Sequence, residues 1–330
     1  MQRFFTAKWI TTAFVVIIFL FWLLSVYWSS EPDLFNVRLT AQQQAQQNGE
    51  QVVVGYTTTH TLIKVVESLM DKPGGYLSND VMPPSVFMDN MPRWEFGALE
   101  MSRDLALAMR KDFSRSQSQS RENSQLIKAQ PALNMNHLNW MLPSAESMYR
   151  DSLKELYLYR ADLADRSQGE AQFYARADNL RDWLKNVEKR LGNLSQKLSA
   201  SVGHSSVNID LAGDAEAQQS TPTPSNLFEK TSWWKTDDNF YEARGASWAL
   251  IHYLKAIEVD FADVLEKKNA TVSLRQIIRE LESTQQTIWS PMILNGSGLG
   301  MLANHSLVMA NYISRANAAL IELTELLNQG

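Results

Sequence analysis

The sequence predicts an all-α protein, with one N-terminal transmembrane helix followed by a helical bundle that divides into two pseudo-repeated three-helix halves. Three observations carry this reading. Trp9 to Trp28 is a run of 20 residues without a charge. Phe173, Ala177, Leu180, Leu184, Val187, Leu191, Leu194 and Leu198 alternate steps of four and three, the a/d seam of a helix packed lengthwise on another. Elsewhere, amphipathic stripes at helical spacing are separated by breaks rich in Pro, Gly and Ser. At 330 residues and 45% hydrophobic content the chain has material for a large core. The absence of cysteine excludes disulfide frameworks, thiolate metal sites and thiol nucleophiles. A net charge of −5 argues against a nucleic-acid binder, which normally shows a strong basic excess.

The N-terminal run spans about 30 Å as a helix, the thickness of a hydrocarbon core. Its strongly apolar residues favour insertion by about 4 to 7 kcal/mol, an upper bound. Trp9 at one end and Tyr27 with Trp28 at the other suit the two interfaces. A cleaved signal peptide would need small residues near its C-terminal end, where Val26, Tyr27 and Trp28 are bulky. Arg3 and Lys8 precede the run and Glu31 and Asp33 follow it. Positive charge inside therefore places residues 1–8 in the cytoplasm, 9–28 in the bilayer and 31–330 outside. The exported part carries 29 basic and 36 acidic residues, a net of −7.

Within a juxtamembrane segment, 29–56, the Gln-rich stretch 41–48 suggests a spacer, although Gln and Ala also permit helix. A helix follows, with Leu62, Val65, Val66 and Leu69 on one face, and stops at Lys72-Pro73-Gly74-Gly75. Residues 73–93 suggest an irregular, proline-rich loop. Trp94, Ala98, Met101, Leu105 and Ala108 mark the next helix, and Ser114 to Gln125 an exposed tract. Pro143-Ser144 opens a helix with Tyr149, Leu153, Leu156 and Leu163, after which comes the heptad seam. Residues 203–226 suggest an acidic Ser/Thr/Pro linker between helical halves 57–202 and 227–330. Three further stripes follow. Leu250 to Val264 is the first, Leu274 to Ile288 the second, with Ser273 and Gln276 as a capping box, and Met309 to Leu327 the third.

The halves share identities. Gly97-Ala98 and Asp112-Phe113 stand 15 residues apart, as do Gly245-Ala246 and Asp260-Phe261, at a common offset of 148. Tyr174 with Arg176-Ala177-Asp178 also resembles Tyr312 with Arg315-Ala316-Asn317. Chance matches between helices of this composition compete with a duplication.

Chemistry is sparsely signalled. The five histidines show no metal-ligand spacing, and no cofactor is indicated. His252 suits a packed, hydrogen-bonded histidine. Gly296-Ser297-Gly298-Leu299-Gly300 lacks the strand or the Gly-Lys-Ser/Thr that phosphate-binding loops need. The stretch least explained by packing is 71–95, where Asp71, Lys72, Gly74, Gly75, Tyr76, Asn79, Asp80, Trp94 and Glu95 are candidate binding residues. Asp80 and Glu95 are a possible carboxylate pair. The competing reading is a loop that caps the bundle with its methionines and aromatics. Trp233 and Trp234 belong to an aromatic cluster, 228–241, that is either core or a binding surface.

The runs Asp71 to Pro84, Arg110 to Ser120 and Phe173 to Arg181 resemble the hallmark runs of an uncharacterised proteobacterial family of single-pass inner-membrane proteins, domain of unknown function 2333. The resemblance covers nearly the whole chain. It implies a Gram-negative envelope protein, N-terminus cytoplasmic and residues 31–330 periplasmic, and supplies no activity. Three functions remain: a scaffold or adaptor that holds an envelope protein partner near the membrane, an envelope hydrolase or ligand-binding enzyme with its site around 71–95, or, with less behind it, an assembly factor for a larger membrane complex.

Overall fold

The computed structural model describes residues 2–115, 121–165, 171–207, 226–290 and 292–329. Among these are eleven α-helices and one two-stranded ribbon, β1 (His204–Val207) paired antiparallel with β2 (Asn226–Glu229). The remainder of the expected linker, 208–225, lies outside the described residues, as does 116–120 of the Ser/Gln tract.

The apolar run lies in α1 (Gln2–Trp28), whose Lys8–Trp28 stretch is long and apolar enough to cross a membrane and is not buried in the protein. Residues 41–48 are no spacer. They belong to α2 (Val37–Asn48), capped by Asn36 and ended by Gly49 at φ +66°. Ala41 and Ala45, one turn apart, are buried against the bundle, while most of the glutamines face solvent. Small residues let α2 lie close, so the glutamine-rich composition conceals a one-sided contact stripe.

Next come α3 (Tyr56–Asp71) and α4 (Asn90–Ala108), which continues through a π turn at Met109–Phe113. Then follow α5 (Ser124–Leu133), unforeseen in the sequence, and α6 (Ala145–Ala164). The heptad seam forms α7 (Ala177–Ser199), with Leu180, Leu184, Val187, Leu191, Leu194 and Leu198 all buried. Six such side chains contribute roughly 9–18 kcal/mol before entropy is counted. Phe173, expected on the seam, precedes the helix and packs against Phe113 and Phe261 instead, over the Cβ-free face of Gly55. The second half holds α8 (Thr236–Asp260), α9 (Ala262–Lys267), α10 (Thr271–Ser283) and α11 (His305–Asn328). The expected capping box at Ser273 does not form, because α10 starts two residues earlier, at Thr271 after Ala270.

One core runs through both halves. At its centre α4 and α8 pack in parallel, shown by Arg93 with Asp238, Trp94 with Trp248 and Ser102 with Tyr253. The helices touch backbone to backbone. A Cβ on Gly97 would stand 1.9 Å from the Glu242 carbonyl oxygen, and one on Gly245 1.9 Å from that of Trp94. At the offset of 148 these contacts are reciprocal, since Trp94 corresponds to Glu242. Phe113 and Phe261, also 148 apart, meet at 5.3 Å. Helices α7 and α11 pack antiparallel, with Ser195 beside Ser314 and Arg181 beside Asn328.

The same offset relates α5 to α10, pairing buried Leu126, Ala129 and Leu133 with buried Leu274, Ile277 and Leu281. The third member differs from the sequence-based pairing. Ala177 opens α7, whereas Ala316 lies mid-helix in α11. It is α6 that matches α11: Tyr149, Leu153, Leu156, Arg160 and Leu163 share the spacing of Met309, Ile313, Ala316, Leu320 and Leu323, all buried. Ser144 and Asn304 cap the two helices, each accepting a hydrogen bond three residues on.

Candidate functional site

The 71–95 loop is bolted to the bundle. Glu95, one turn into α4, is fully buried, and its carboxylate accepts from Lys72 Nζ at 2.6 Å, Leu77 N at 2.9 Å, and Ser78 N and Oγ at 2.8 and 2.5 Å. Burial pushes the Glu95 pKa up, and Lys72 with the loop donors opposes that shift. The Lys72 ammonium also donates to Gly75 O at 2.6 Å, closing a turn in which Gly74 and Gly75 have φ of +85° and +72°. Tyr76 is buried edge-on to Tyr149, and Trp94 is buried beside Trp248. Asn79 Nδ2 donates to Asn139 O at 3.1 Å, tying this loop to residues 134–144. Asp71 and Asp80 remain on the surface, Asp71 3.6 Å from Arg150. Asp80 makes none of Glu95's hydrogen bonds; the Glu95 carboxylate is taken up in holding the loop.

The loop also receives the N-terminal helix. Trp28 packs on the core over Gly74, where an added Cβ would lie 2.7 Å from the indole. Three residues on, Glu31 accepts from Arg244 Nε at 2.7 Å, while buried Arg244 donates to the carbonyls of Thr284, Gln285 and Gln286. Phe35 N–H donates to His252 Nε2 at 3.1 Å, and the Phe35 ring stacks on that imidazole at 3.9 Å. His252 Nδ1 contacts Trp248 O at 2.7 Å, so the ring is neutral, protonated at Nδ1; burial lowers its pKa to about 4.

The loops around this docking site carry large apolar side chains into solvent. Val81, Met82 and Phe87 do so from the 71–95 loop, and Trp140, Met141 and Leu142 from the segment tied to it by Asn79. Trp233 and Trp234, 4.9 Å apart, are exposed just before α8 and are not core. Trp289, Leu299 and Met301 project from the connection between α10 and α11, which Asn295 and Asn304 hold as an antiparallel bridge. Beside Trp289 an open cleft of about 470 Å³ is lined by Phe240, Arg244, Ile288, His305 and Tyr312. A second cleft of about 520 Å³, between α4, α7 and α8, is lined by charged groups including Glu100, Asp104, Lys189 and Arg190.

A polar cluster that the sequence reading missed sits at the opposite end. Arg160, buried in α6, approaches His60 Nδ1 at 3.2 Å and Glu50 at 3.6 Å, and Tyr56 donates to Glu50 at 2.6 Å. Burial, then Arg160, lowers the His60 pKa to about 4. Asp260 accepts from Thr58 N and Oγ1, both at 2.7 Å, and burial raises its pKa to about 6. The five-residue run Thr57-Thr58-Thr59-His60-Thr61, opening an otherwise amphipathic helix, was the available signal. These contacts join the α2–α3 turn to α6 and α8. Among the described residues no group of three His, Asp or Glu side chains is placed to hold a metal ion.

Fold and site define a class: an all-α bundle with one N-terminal helix apolar enough to cross a membrane, docked on the loops at one end. The chain belongs to the family described as an uncharacterized protein conserved in bacteria, domain of unknown function 2333, whose sequence profile matches residues 2–330. No curated protein and no solved structure matches it.

Proposed function

We propose that the chain is a membrane-anchored adaptor whose bundle stands on the periplasmic face of the bacterial inner membrane and presents its surface to an envelope protein partner. The supporting observation is the docking of the anchor. Trp28 on Gly74, Glu31 on Arg244 and Phe35 on His252 fix the end of the apolar helix to the bundle within eight residues. Arg3 and Lys8 before the uncharged run and Glu31 after it give the orientation by the positive-inside rule.

Because the chain has no cysteine, single-cysteine variants report topology directly. Glu266→Cys, exposed in α9, is expected to react with a membrane-impermeant maleimide in spheroplasts, and Gln2→Cys only after lysis. The reverse pattern overturns the orientation. The adaptor role is tested by crosslinked co-purification from membranes of wild type and Asn193→Trp, which fills the charged cleft from the exposed face of α7. A partner recovered at least tenfold less with the variant supports the role. Unchanged recovery from a correctly folded variant removes that cleft as the docking surface.

A further inference from the structure

All the exposed apolar loop tips named above lie at one end of the bundle. The N-termini of α4 and α8 meet there, as Arg93 reaches Asp238. The C-terminus of α3 and the N-terminus of α6 join them through Asp71 and Arg150. The N-terminus of α11 follows, with His305 6.5 Å from Phe240, and the end of α7 is held by Asn295 on Ser201 O. This is also the end at which α1 arrives, through Trp28 and Glu31.

The ten tryptophans sort accordingly. Trp9 and Trp22 lie on the apolar helix and Trp28 at its junction, while Trp94, Trp183 and Trp248 are buried in the core. The remaining four, Trp140, Trp233, Trp234 and Trp289, are exposed, and every one is at the anchor end. Exposure there is extreme, reaching 93% for Trp289 and 96% for Leu142. Large apolar side chains gathered at one end and exposed to water mark an interaction face, and tryptophan is enriched at the membrane interface.

We propose that this end of the bundle is seated in the interfacial layer of the same bilayer that α1 enters. In that arrangement Phe87, Trp140, Leu142, Trp234, Trp289 and Leu299 sink among headgroups and upper acyl chains. The inference rests on the anchored reading of α1. Continuity selects lipid as the occupant. The apolar helix ends at Trp28, against the same loop that carries Met82 and Phe87, so a bilayer around α1 meets these tips before any other part of the bundle. The charges at this end are mixed, Arg93, Arg150 and Lys235 beside Asp71, Asp80 and Asp89, so apolar insertion rather than attraction to anionic lipid holds the face.

The test uses the full chain, one copy per lipid nanodisc, with a fluorophore on single cysteines and nitroxide lipids of known depth. Leu142→Cys and Leu299→Cys replace exposed side chains and leave the packing intact. Both are expected to lose at least half their fluorescence to shallow nitroxides, with at most a twofold difference between zwitterionic and anionic discs. Ile18→Cys is expected to be quenched most by mid-bilayer nitroxides, and Glu266→Cys, at the opposite end, by neither. Quenching of Ile18→Cys with silent tips overturns the seated face while leaving the anchor standing, and leaves the face to a protein partner. A silent Ile18→Cys refutes the anchor itself.

Discussion

Replacing Lys72 by Met removes the charge that lies 2.6 Å from the fully buried Glu95 carboxylate, and with it the bond to Gly75 O. Breaking one side of a buried ion pair costs about 3–5 kcal/mol, because the surviving charge stays desolvated. For about 300 residues an unfolding entropy near 2.1 cal/mol/K per residue converts this into a fall of roughly 5–8 °C in Tm. The loss has a definite pH signature. Burial already raises the Glu95 pKa above 4.5, and removal of Lys72 raises it further. Between the unfolded and folded values the native state holds a proton that the unfolded chain has released, so stability of the variant falls as pH rises through that window. Thermal unfolding of the detergent-solubilised full chain by near-ultraviolet circular dichroism at pH 5 and pH 8 measures both effects. The deficit is expected to be larger at pH 8, and a cycle with Glu95→Gln to show coupling of at least about 1 kcal/mol. A Tm change below about 2 °C at pH 8, or equal deficits at the two pH values, refutes the bolt.

Three further outcomes follow from the geometry. Gly97→Ala and Gly245→Ala each force α4 and α8 apart at a carbonyl 1.9 Å from the new Cβ, costing at least about 1–3 kcal/mol, and chemical denaturation should show the double variant to be less than additive. His252, held neutral with its pKa lowered from 6.5 to about 4, contributes stability that is complete above pH 6.5 and lost as pH falls through about 4, up to roughly 3 kcal/mol. In His252→Gln the fall in stability between pH 6.5 and 4 should shrink by about that amount. Trp28→Ala empties the contact over Gly74, and limited proteolysis should cut between residues 29 and 37 at least tenfold faster than in wild type.

Helix identity was legible wherever a periodic apolar stripe stood on a polar background, as in the seam from Leu180 to Leu198. It was illegible where the contact residues were small. Ala41 and Ala45 gave α2 little hydrophobic signal, and α5 is ten residues long with Pro131 inside it and only Leu126, Ile127 and Leu133 as large apolar residues. An irregular segment between α3 and α4 was legible from its prolines and glycines, yet the contacts of its side chains were not. Whether Glu95 faces a ligand or Lys72 depends on where Leu77 and Ser78 fold back, 17 or 18 residues away in the chain. Tryptophan was ambiguous for a physical reason: the same ring suits a core, as at Trp94, and an interface, as at Trp234. Only the three-dimensional arrangement separates them.

The docked junction also sets a length. Had residues 29–48 been a flexible tether, their ends would sit roughly 25 Å apart on average and the bundle would sample a wide volume. Fastened at Trp28, Glu31 and Phe35, the bundle instead works as a stand-off. The 24 residues of α11 rise about 36 Å from the tip-bearing end to the end where α9 and the Phe113, Phe173 and Phe261 rings lie. That far end therefore stands at a set distance and azimuth from the end of α1, and a shift or tilt of α1 moves it as the end of a lever.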